Sequence, residues 1–241
     1  MNTSHGNELA RRDHDYWWFR SRYNTVERLL RGQSLMPIEG LLDFGCGSGG
    51  FLRHAVSSGL VAPSGAVGID GDAAAVHRVR AMGFEVHQAD ASNLAEVRIG
   101  HRLSAITALD ILEHLDEPVA ALESLRSMAA PGASLVALVP AIPSLWSEWD
   151  ERLGHRRRYL SRTLQRDLET AGWKVKHVRY LFISMLAPAW LRAFIGVSAS
   201  SDQFPSFPGW IDSVLGWATS LENRFPLWPA GTSLAAVAEC R

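Results

Sequence analysis

The chain contains little cysteine and carries little net charge. Both features narrow the compartment and the partners that it can be expected to have. It has two cysteines among 241 residues, Cys46 and Cys240. Two cysteines do not build a disulfide framework, so a reducing compartment such as the cytoplasm is the expected location. The formal net charge is -1. A charge this small gives no electrostatic reason to expect nucleic acid or an anionic membrane as the main partner.

Long uninterrupted apolar runs are also lacking. The first 15 residues are polar and have no apolar centre, so they do not resemble a secretory signal. Residues 180–197 reach about the minimum length for a membrane span. However, Pro188 and Arg192 interrupt this stretch, and an arginine within a bilayer is costly. We interpret the stretch as a buried or cap helix and predict no transmembrane span.

Strand and helix patterns alternate through the first part of the chain. Short apolar runs predict strands at 40–44, 66–69, 84–89, 103–109 and 134–139, with helical patterns between them. This order predicts an α/β fold with a doubly wound, mostly parallel sheet. Two further strands, at 173–182 and 233–240, are expected to pair antiparallel at one edge. The result is a seven-stranded sheet with an antiparallel last strand.

The remaining segments are predicted to accompany this sheet within one domain, residues 1–241. A helix expected at 8–31 belongs to an N-terminal helical lid, residues 1–36. Residues 183–230 form a helical cap insertion before the last strand. The aromatic run at 16–19 includes Trp18, and Arg22 follows it. We predict that both belong to the lid, where a cation suits a ligand carboxylate.

The most informative stretch is LLDFGCGSGGFL, residues 41–52. It indicates a strand, a tight glycine turn and the start of a helix. Glycine has no Cβ, so such a turn lets a ligand approach the backbone, its N–H groups and the helix N-terminus.

Four aspartates lie at or next to the predicted ends of successive strands: Asp43, Asp70, Asp90 and Asp110. Ligands of open parallel sheets bind outside the carboxyl ends of the strands, so these acids are expected to line one crevice. Asp70 lies about twenty residues past the turn, the position of the acid that binds ribose hydroxyls. Asp90, beside Ala91, is placed to contact an adenine edge. These positions indicate an adenosine-like ligand.

Together these segments resemble the class I S-adenosylmethionine-dependent methyltransferases. Asp43, Gly45, Gly47 and Gly49 match the family pattern acid-x-Gly-x-Gly-x-Gly. VGIDGD is similar to the second family motif and QADASNL to the third. ALDILEHLDEP resembles the fourth, which implies that Asp110, Glu113 and His114 lie below the methyl-donor end. MAAPGASLVALVPA resembles the segment that follows, so the likeness covers roughly residues 40–140.

The flanking segments resemble a bacterial small-molecule methyltransferase subgroup. The matching segments are an HxxWWFxxR-like helix at His14–Arg22 and a WSxxDxxxGHxRRY-like stretch at Trp146–Tyr159. From the residues and the resemblance together, S-adenosylmethionine is expected to bind at Trp18, Arg22, Asp43, Gly45, Cys46, Gly47, Gly49, Asp70, Gly71, Asp90, Ala91 and Asp110.

Two other functions fit part of the same pattern. Gly45, Gly47 and Gly50 also satisfy G-x-G-x-x-G, the fingerprint of NAD(P)-dependent oxidoreductases. Asp43 opposes that interpretation, because a carboxylate just before the turn repels a pyrophosphate but neutralises an α-ammonium group. Cyclisation or elimination with the same sulfonium ligand stays open. Methyl transfer is the favoured function.

Catalysis of methyl transfer rests on positioning and exclusion of water, and a base is needed only when the acceptor loses a proton early. The candidate catalytic residues are His155 and His114. No His-x-x-x-His or Cys-x-x-Cys pair is present, so we predict no metal site. The aromatic residues of the insertion predict an apolar pocket for a small-molecule acceptor of aromatic or lipid-linked type. The sequence has no basic stripe of the kind that binds nucleic acid. It leaves the oligomeric state open.

Overall fold

The computed structural model describes residues 16–33, 38–195, 208–224 and 229–241. Its centre is one sheet of seven strands. The strands are β1 (Leu41–Phe44), β2 (Ala66–Asp70), β3 (Glu85–Gln88), β4 (Leu103–Leu109), β5 (Ala129–Pro140), β6 (Lys174–Leu181) and β7 (Ser233–Glu239). Their spatial order is β3-β2-β1-β4-β5-β7-β6.

Helices connect and flank these strands. They are α1 (Trp17–Arg31), α2 (Gly50–Ser57), α3 (Ala73–Ala81), α4 (Pro118–Met128), α5 (Glu148–Leu153), α6 (Ser161–Thr170), α7 (Leu186–Ile195) and α8 (Gly209–Glu222). Two of them, α7 and α8, lie in the predicted insertion between β6 and β7. None of the described helices is both long enough and apolar enough to cross a bilayer.

The sheet has the predicted topology. Strands β1 to β5 pair in parallel, and β7 runs antiparallel between β5 and β6. All four residues of β1 are buried, as expected for a parallel strand covered on both faces. The strand order reverses between β1 and β4, the switch point where ligands of open α/β sheets bind. The predicted fold class is confirmed.

The start of β5 corrects one boundary. The sequence predicts a helical pattern before this strand, and a strand only from residue 134. The strand instead begins at Ala129, which pairs with Leu103. Gly132 adopts φ 79°, and its N–H donates to the carbonyl oxygen of Cys240 at 2.9 Å. These contacts with β4 and the chain end are distant in sequence, so local turn signals did not reveal them.

The N-terminal helix lies across the carboxyl end of the sheet. In α1, the guanidinium of Arg22 contacts Asp110 after β4 and Ser233 at the start of β7. Helix α8 packs on α1, because Asp212 accepts bonds from the backbone N–H of Trp17 at 3.2 Å and from Arg20 at 2.8 Å. The predicted helix at 8–31 is described only from residue 17, since residues 1–15 lie outside the described part of the chain.

Candidate cofactor and acceptor site

The glycine turn joins β1 to α2 and requires glycine for its backbone. Gly45, Gly47 and Gly49 have φ of 77°, 53° and 78°, values that side chains disfavour. A Cβ added to Gly45 lies only 2.8 Å from the side chain of Ile111. One added to Gly47 meets no atom within 4 Å. The turn therefore packs against the loop after β4 on one side and is open at Gly47.

Three backbone N–H groups of the turn donate hydrogen bonds to carbonyl oxygens of the protein. Gly45 and Cys46 both donate to the carbonyl oxygen of Ile69, at 2.8 and 3.1 Å, and Gly49 donates to that of Cys46 at 2.8 Å. These three N–H groups are bonded within the protein, and the predicted contact of Gly45, Cys46 and Gly49 with a ligand stays a prediction. A pyrophosphate binds through such donors, and the pattern therefore disfavours a dinucleotide.

Asp70 joins the end of β2 to the turn. Its carboxylate accepts bonds from the N–H of Gly47 at 2.8 Å and of Asp72 at 2.9 Å. Asp72 in turn accepts from the N–H of Ala74 at 2.9 Å and caps α3, as its sequence position predicts. A carboxylate has about four acceptor positions. Asp70 therefore keeps acceptor capacity for a diol while its orientation is fixed.

Two neighbouring side chains lie beneath the turn. Asp43 is only 3% exposed and accepts a bond from the hydroxyl of Thr107 at 2.7 Å. Burial, with the nearby charges of Asp43 and Asp70, raises the pKa of the Cys46 thiol far above its usual range. A Cβ on Gly68 would lie 2.7 Å from this sulfur. The Cys46 side chain therefore packs against β2, and only its backbone belongs to the turn.

The loop after β3 is built around Asp90. Its carboxylate accepts bonds from the hydroxyl of Ser92 at 2.5 Å and its N–H at 2.8 Å, which lower the pKa of Asp90. A Cβ on Gly71 would lie 3.3 Å from that of Asp90. The loops after β2 and β3 are therefore adjacent, and Ala91 packs partly buried against the core.

Arg22 brings the N-terminal helix to the end of β4. Its buried guanidinium contacts the Asp110 carboxylate and lies 5.2 Å from the centre of the Trp18 ring and 6.0 Å from that of Phe182. Asp110 has φ 52°, a left-handed conformation that non-glycine residues adopt at a cost and that clusters at functional sites. Arg22 thus neutralises Asp110, and its predicted contact with a ligand carboxylate stays a prediction.

Beyond Asp110 lies a second group of charged side chains, organised by Asp150. This carboxylate is fully buried and contacts Nδ1 of His155 at 2.8 Å and the guanidinium of Arg158 at 2.8 and 3.0 Å. Burial favours a raised pKa, but the bonds from His155 and Arg158 hold the pKa of Asp150 below its usual value. Asp150 is the aspartate of the WSxxDxxxGHxRRY-like stretch, but the sequence analysis gave it no role. It also fits the Ser147-x-x-Asp150 capping pattern at the start of α5.

Glu113 and His114 face this group from the turn after β4. Both carboxylate oxygens of Glu113 are buried and lack a hydrogen-bond partner among the described residues. Burial and the charge of Asp110 raise the pKa of Glu113 well above its usual value. Nε2 of His155 lies 3.9 Å from Glu113 Oε1, and the rings of His114 and His155 are 4.9 Å apart. The structure therefore brings the two predicted histidines together.

These features define a class of protein. A doubly wound sheet with an open glycine turn at its switch point, and aspartates at or next to the ends of four successive strands, binds an adenosine-type ligand at its carboxyl edge. The residues fit S-adenosylmethionine, because Asp70 offers acceptors for a diol, Asp43 supplies negative charge and the turn is open at Gly47.

Comparison with known proteins establishes the family. A family model described as a methyltransferase domain matches residues 16–178, more than half of the chain. The protein belongs to this family and is a class I S-adenosylmethionine-dependent methyltransferase, with S-adenosylmethionine as its cofactor. A search among curated proteins finds no significant match.

Solved structures share the fold. An S-adenosylmethionine-dependent methyltransferase from Archaeoglobus fulgidus is 20% identical, with TM-score 0.57 over 90% of this chain and 94% of its own. The N-methyltransferase NodS from Bradyrhizobium japonicum, in complex with S-adenosyl-L-homocysteine, is 16% identical, with TM-score 0.56 over 98% and 96%. The [4+2]-cyclase SpnF is 16% identical, with TM-score 0.55 over 90% and 80%.

Proposed function

We propose that this methyltransferase acts on a small-molecule acceptor held beside Asp110, under the layer formed by α1 and α8. The observation that carries the proposal is the pairing of these helices across the carboxyl edge. Arg22 fixes α1 to the end of β4, and Asp212 fixes α8 to α1. A covered edge favours a compact acceptor over a polymer, and the net charge of -1 gives no attraction to nucleic acid.

The cofactor is proposed to bind along the loops after β1, β2 and β3. Asp70 accepts the ribose hydroxyls, Asp90 and Ala91 border the adenine, and Asp43 neutralises the α-ammonium group. The glycine turn and Gly71 leave room for close contact, while Trp18, Arg22 and Asp110 border the methionine end. The bound cofactor supplies a methyl group on a sulfonium, a strong electrophile that needs no further activation.

The acceptor is proposed to enter from the side of His114 and His155. The cofactor would supply its methyl group in line to a lone pair of the acceptor and would leave as the neutral thioether, and His155 or His114 would take the proton that the acceptor loses. Both imidazoles act directly on the acceptor in this proposal. Apolar side chains of the insertion suit an aromatic or lipid-linked molecule: Trp190, Trp210 and Trp217 are 53%, 70% and 68% exposed. The other predicted aromatics lie outside the described residues, apart from Phe194, whose side chain is not described.

A fragment-based acceptor screen tests this proposal. We expect the purified protein to bind S-adenosylmethionine but not NAD in calorimetry, and to release S-adenosylhomocysteine with a methylated small molecule. His155→Ala should lower turnover about 100-fold and leave cofactor affinity unchanged. The control is His87→Ala, because His87 on β3 pairs with Glu85 at the protein surface. Product formation without methyl transfer would instead support cyclisation or elimination.

Three further statements belong to the same proposal. Residues 1–241 form a single methyltransferase domain, with a lid at 1–36 and an insertion at 183–230. The enzyme works in the cytoplasm, in small-molecule biosynthesis. Support for this location comes from the two unpaired cysteines, Cys46 and Cys240, both buried as free thiols.

A further inference from the structure

Three metal-ligating side chains converge beside the carboxyl end of β4. Glu113, His114 and His155 each offer one ligand atom, and these atoms lie within 4.8 Å of one another. No other three His, Cys, Asp or Glu side chains in the described ranges are grouped this closely. Two histidines and one carboxylate are a donor set typical of catalytic zinc and of non-haem iron.

Hydrogen bonds fix the tautomers of both histidines. Nδ1 of His155 lies 2.8 Å from the Asp150 carboxylate. Nδ1 of His114 lies 3.2 Å from the carbonyl oxygen of Gly154. Both partners are acceptors, so each neutral ring carries its hydrogen on Nδ1 and a lone pair on Nε2. Carboxylates and carbonyls occupy the same outer position behind the histidines of metal sites.

The third side chain, Glu113, lacks a hydrogen-bond partner among the described residues. Glu113 is fully buried, and neither of its oxygens has a hydrogen-bond donor among the described residues. The charged form of a buried carboxyl group is costly when no donor contacts it, and a nearby cation would stabilise that form. The bond between Arg158 and Asp150 shows the contrast, because that buried carboxylate is fully engaged. A cation between Glu113 and the two imidazoles would be coordinated by the Glu113 carboxylate and would supply the interaction that its oxygens lack.

We infer that Glu113, His114 and His155 bind a divalent cation of the zinc type. Ligands about 2.1 Å from zinc lie about 3.4 Å apart in a tetrahedron, so the side chains close by up to about 1.4 Å from the present 4.8 Å. Three protein ligands leave one position for an acceptor oxygen. This inference rests on the proposed function and changes one part of it: the two imidazoles then act on the acceptor through the cation, which orients an acceptor hydroxyl or carboxylate. It also departs from the expectation, drawn from the sequence, that the chain has no metal site.

Metal titration of the whole chain tests the inference. Protein stripped with EDTA and dialysed is titrated with Zn²⁺ in calorimetry, and with Co²⁺ while its visible absorption is recorded. We expect one tight site per chain and a tetrahedral Co²⁺ spectrum. Glu113→Gln should weaken Zn²⁺ binding at least about 100-fold. Asp150→Asn, which removes an outer partner, should weaken it about 10–100-fold.

A surface cluster of the same residue types provides the control. Glu85 lies 2.8 Å from His87 and 3.9 Å from His101, with all three partly exposed. Glu85→Gln should leave Zn²⁺ affinity unchanged, and circular dichroism checks that both glutamine variants fold. Absence of stoichiometric Zn²⁺ binding, or equal affinity in Glu113→Gln and Glu85→Gln, would overturn the cation site.

The experiments distinguish failure of the cation site from failure of the proposed function. If Zn²⁺ does not bind but methyl transfer to a small molecule still requires His155, the imidazole itself takes the acceptor proton. If no small molecule is methylated while Glu113-dependent Zn²⁺ binding is observed, the cation site stands and the acceptor assignment falls.

Discussion

The site has two sides that differ in how the chain forms them. The cofactor side is the glycine turn with the loops after β2 and β3, and the acceptor side is the group of Glu113, His114, Asp150 and His155. On the cofactor side, the geometry is set at positions that local sequence signals reveal, the glycines Gly45 and Gly47 of the turn and Asp70 at the end of the adjacent strand β2. On the acceptor side, Glu113 follows β4 while Asp150 and His155 follow β5, some forty residues later. The first side presents open backbone at Gly47; the second concentrates buried charge. A shared cofactor needs the same local turn, whereas an individual acceptor is recognised by side chains that the fold assembles.

The largest expected effect concerns the buried charges of the acceptor side. Arg158→Ala leaves the buried Asp150 carboxylate without its bidentate partner, so the free energy of unfolding should fall by about 3 kcal/mol. Urea denaturation followed by circular dichroism measures this change.

Arg156 provides the matched control for this comparison. It belongs to the same run of arginines, but its side chain is 53% exposed and pairs with Asp116, itself 72% exposed. Arg156→Ala should change the free energy of unfolding by at most about 1 kcal/mol. Equal losses in the two variants would show that the acceptor side is not held by its buried charge.

The next effect concerns the cofactor side. Asp70→Ala removes the acceptor of two proposed ribose hydrogen bonds, so S-adenosylmethionine affinity should fall about 100-fold. Calorimetry measures this affinity. The temperature is kept well below that of unfolding, because the variant also loses the hydrogen bonds from Gly47 and Asp72.

Asp72→Ala separates binding from folding in the same loop. It removes the cap of α3 and should cost about 1 kcal/mol of stability with little change in cofactor affinity. An Asp70→Ala variant that binds the cofactor normally would refute the ribose assignment.

The smallest effect concerns the two thiols, one near each side of the sheet. Burial raises the pKa of Cys46 and of Cys240, so few thiolates form at neutral pH and access is limited. Native protein should therefore react with iodoacetamide far more slowly than urea-unfolded protein, as mass spectrometry detects. Rapid alkylation of native Cys46 would show that the glycine turn opens readily.

Sequence patterns predicted the fold and the identity of the cofactor. Alternating apolar strands and helices gave the seven-stranded topology, because each element carries its own periodicity and the connections are short. The acids Asp43, Asp70, Asp90 and Asp110 were located because strand ends are readable from local residues. The roles of the individual residues in ligand binding stay predictions.

Other features depended on contacts between distant residues. The early start of β5 rests on pairing with Leu103 and with the end of the chain. Asp150 belongs to the WSxxDxxxGHxRRY-like stretch, but its role stayed unassigned because an acid in the first turn of a short helix usually caps that helix, as Asp150 also does. Its second set of partners, His155 and Arg158, becomes visible only when the loop after α5 folds back.

The amino-acid sequence alone determined the succession of strands and helices, the glycine turn and the row of carboxylates, since these follow from backbone preferences and periodicity within a few residues. Tertiary structure decided which charges are buried together: it joined Arg22 to Asp110, and it buried Glu113 beside two imidazoles without a hydrogen-bond donor in the described part of the chain. Charge interactions depend on distance and solvent exposure, and neither is fixed until the chain has packed.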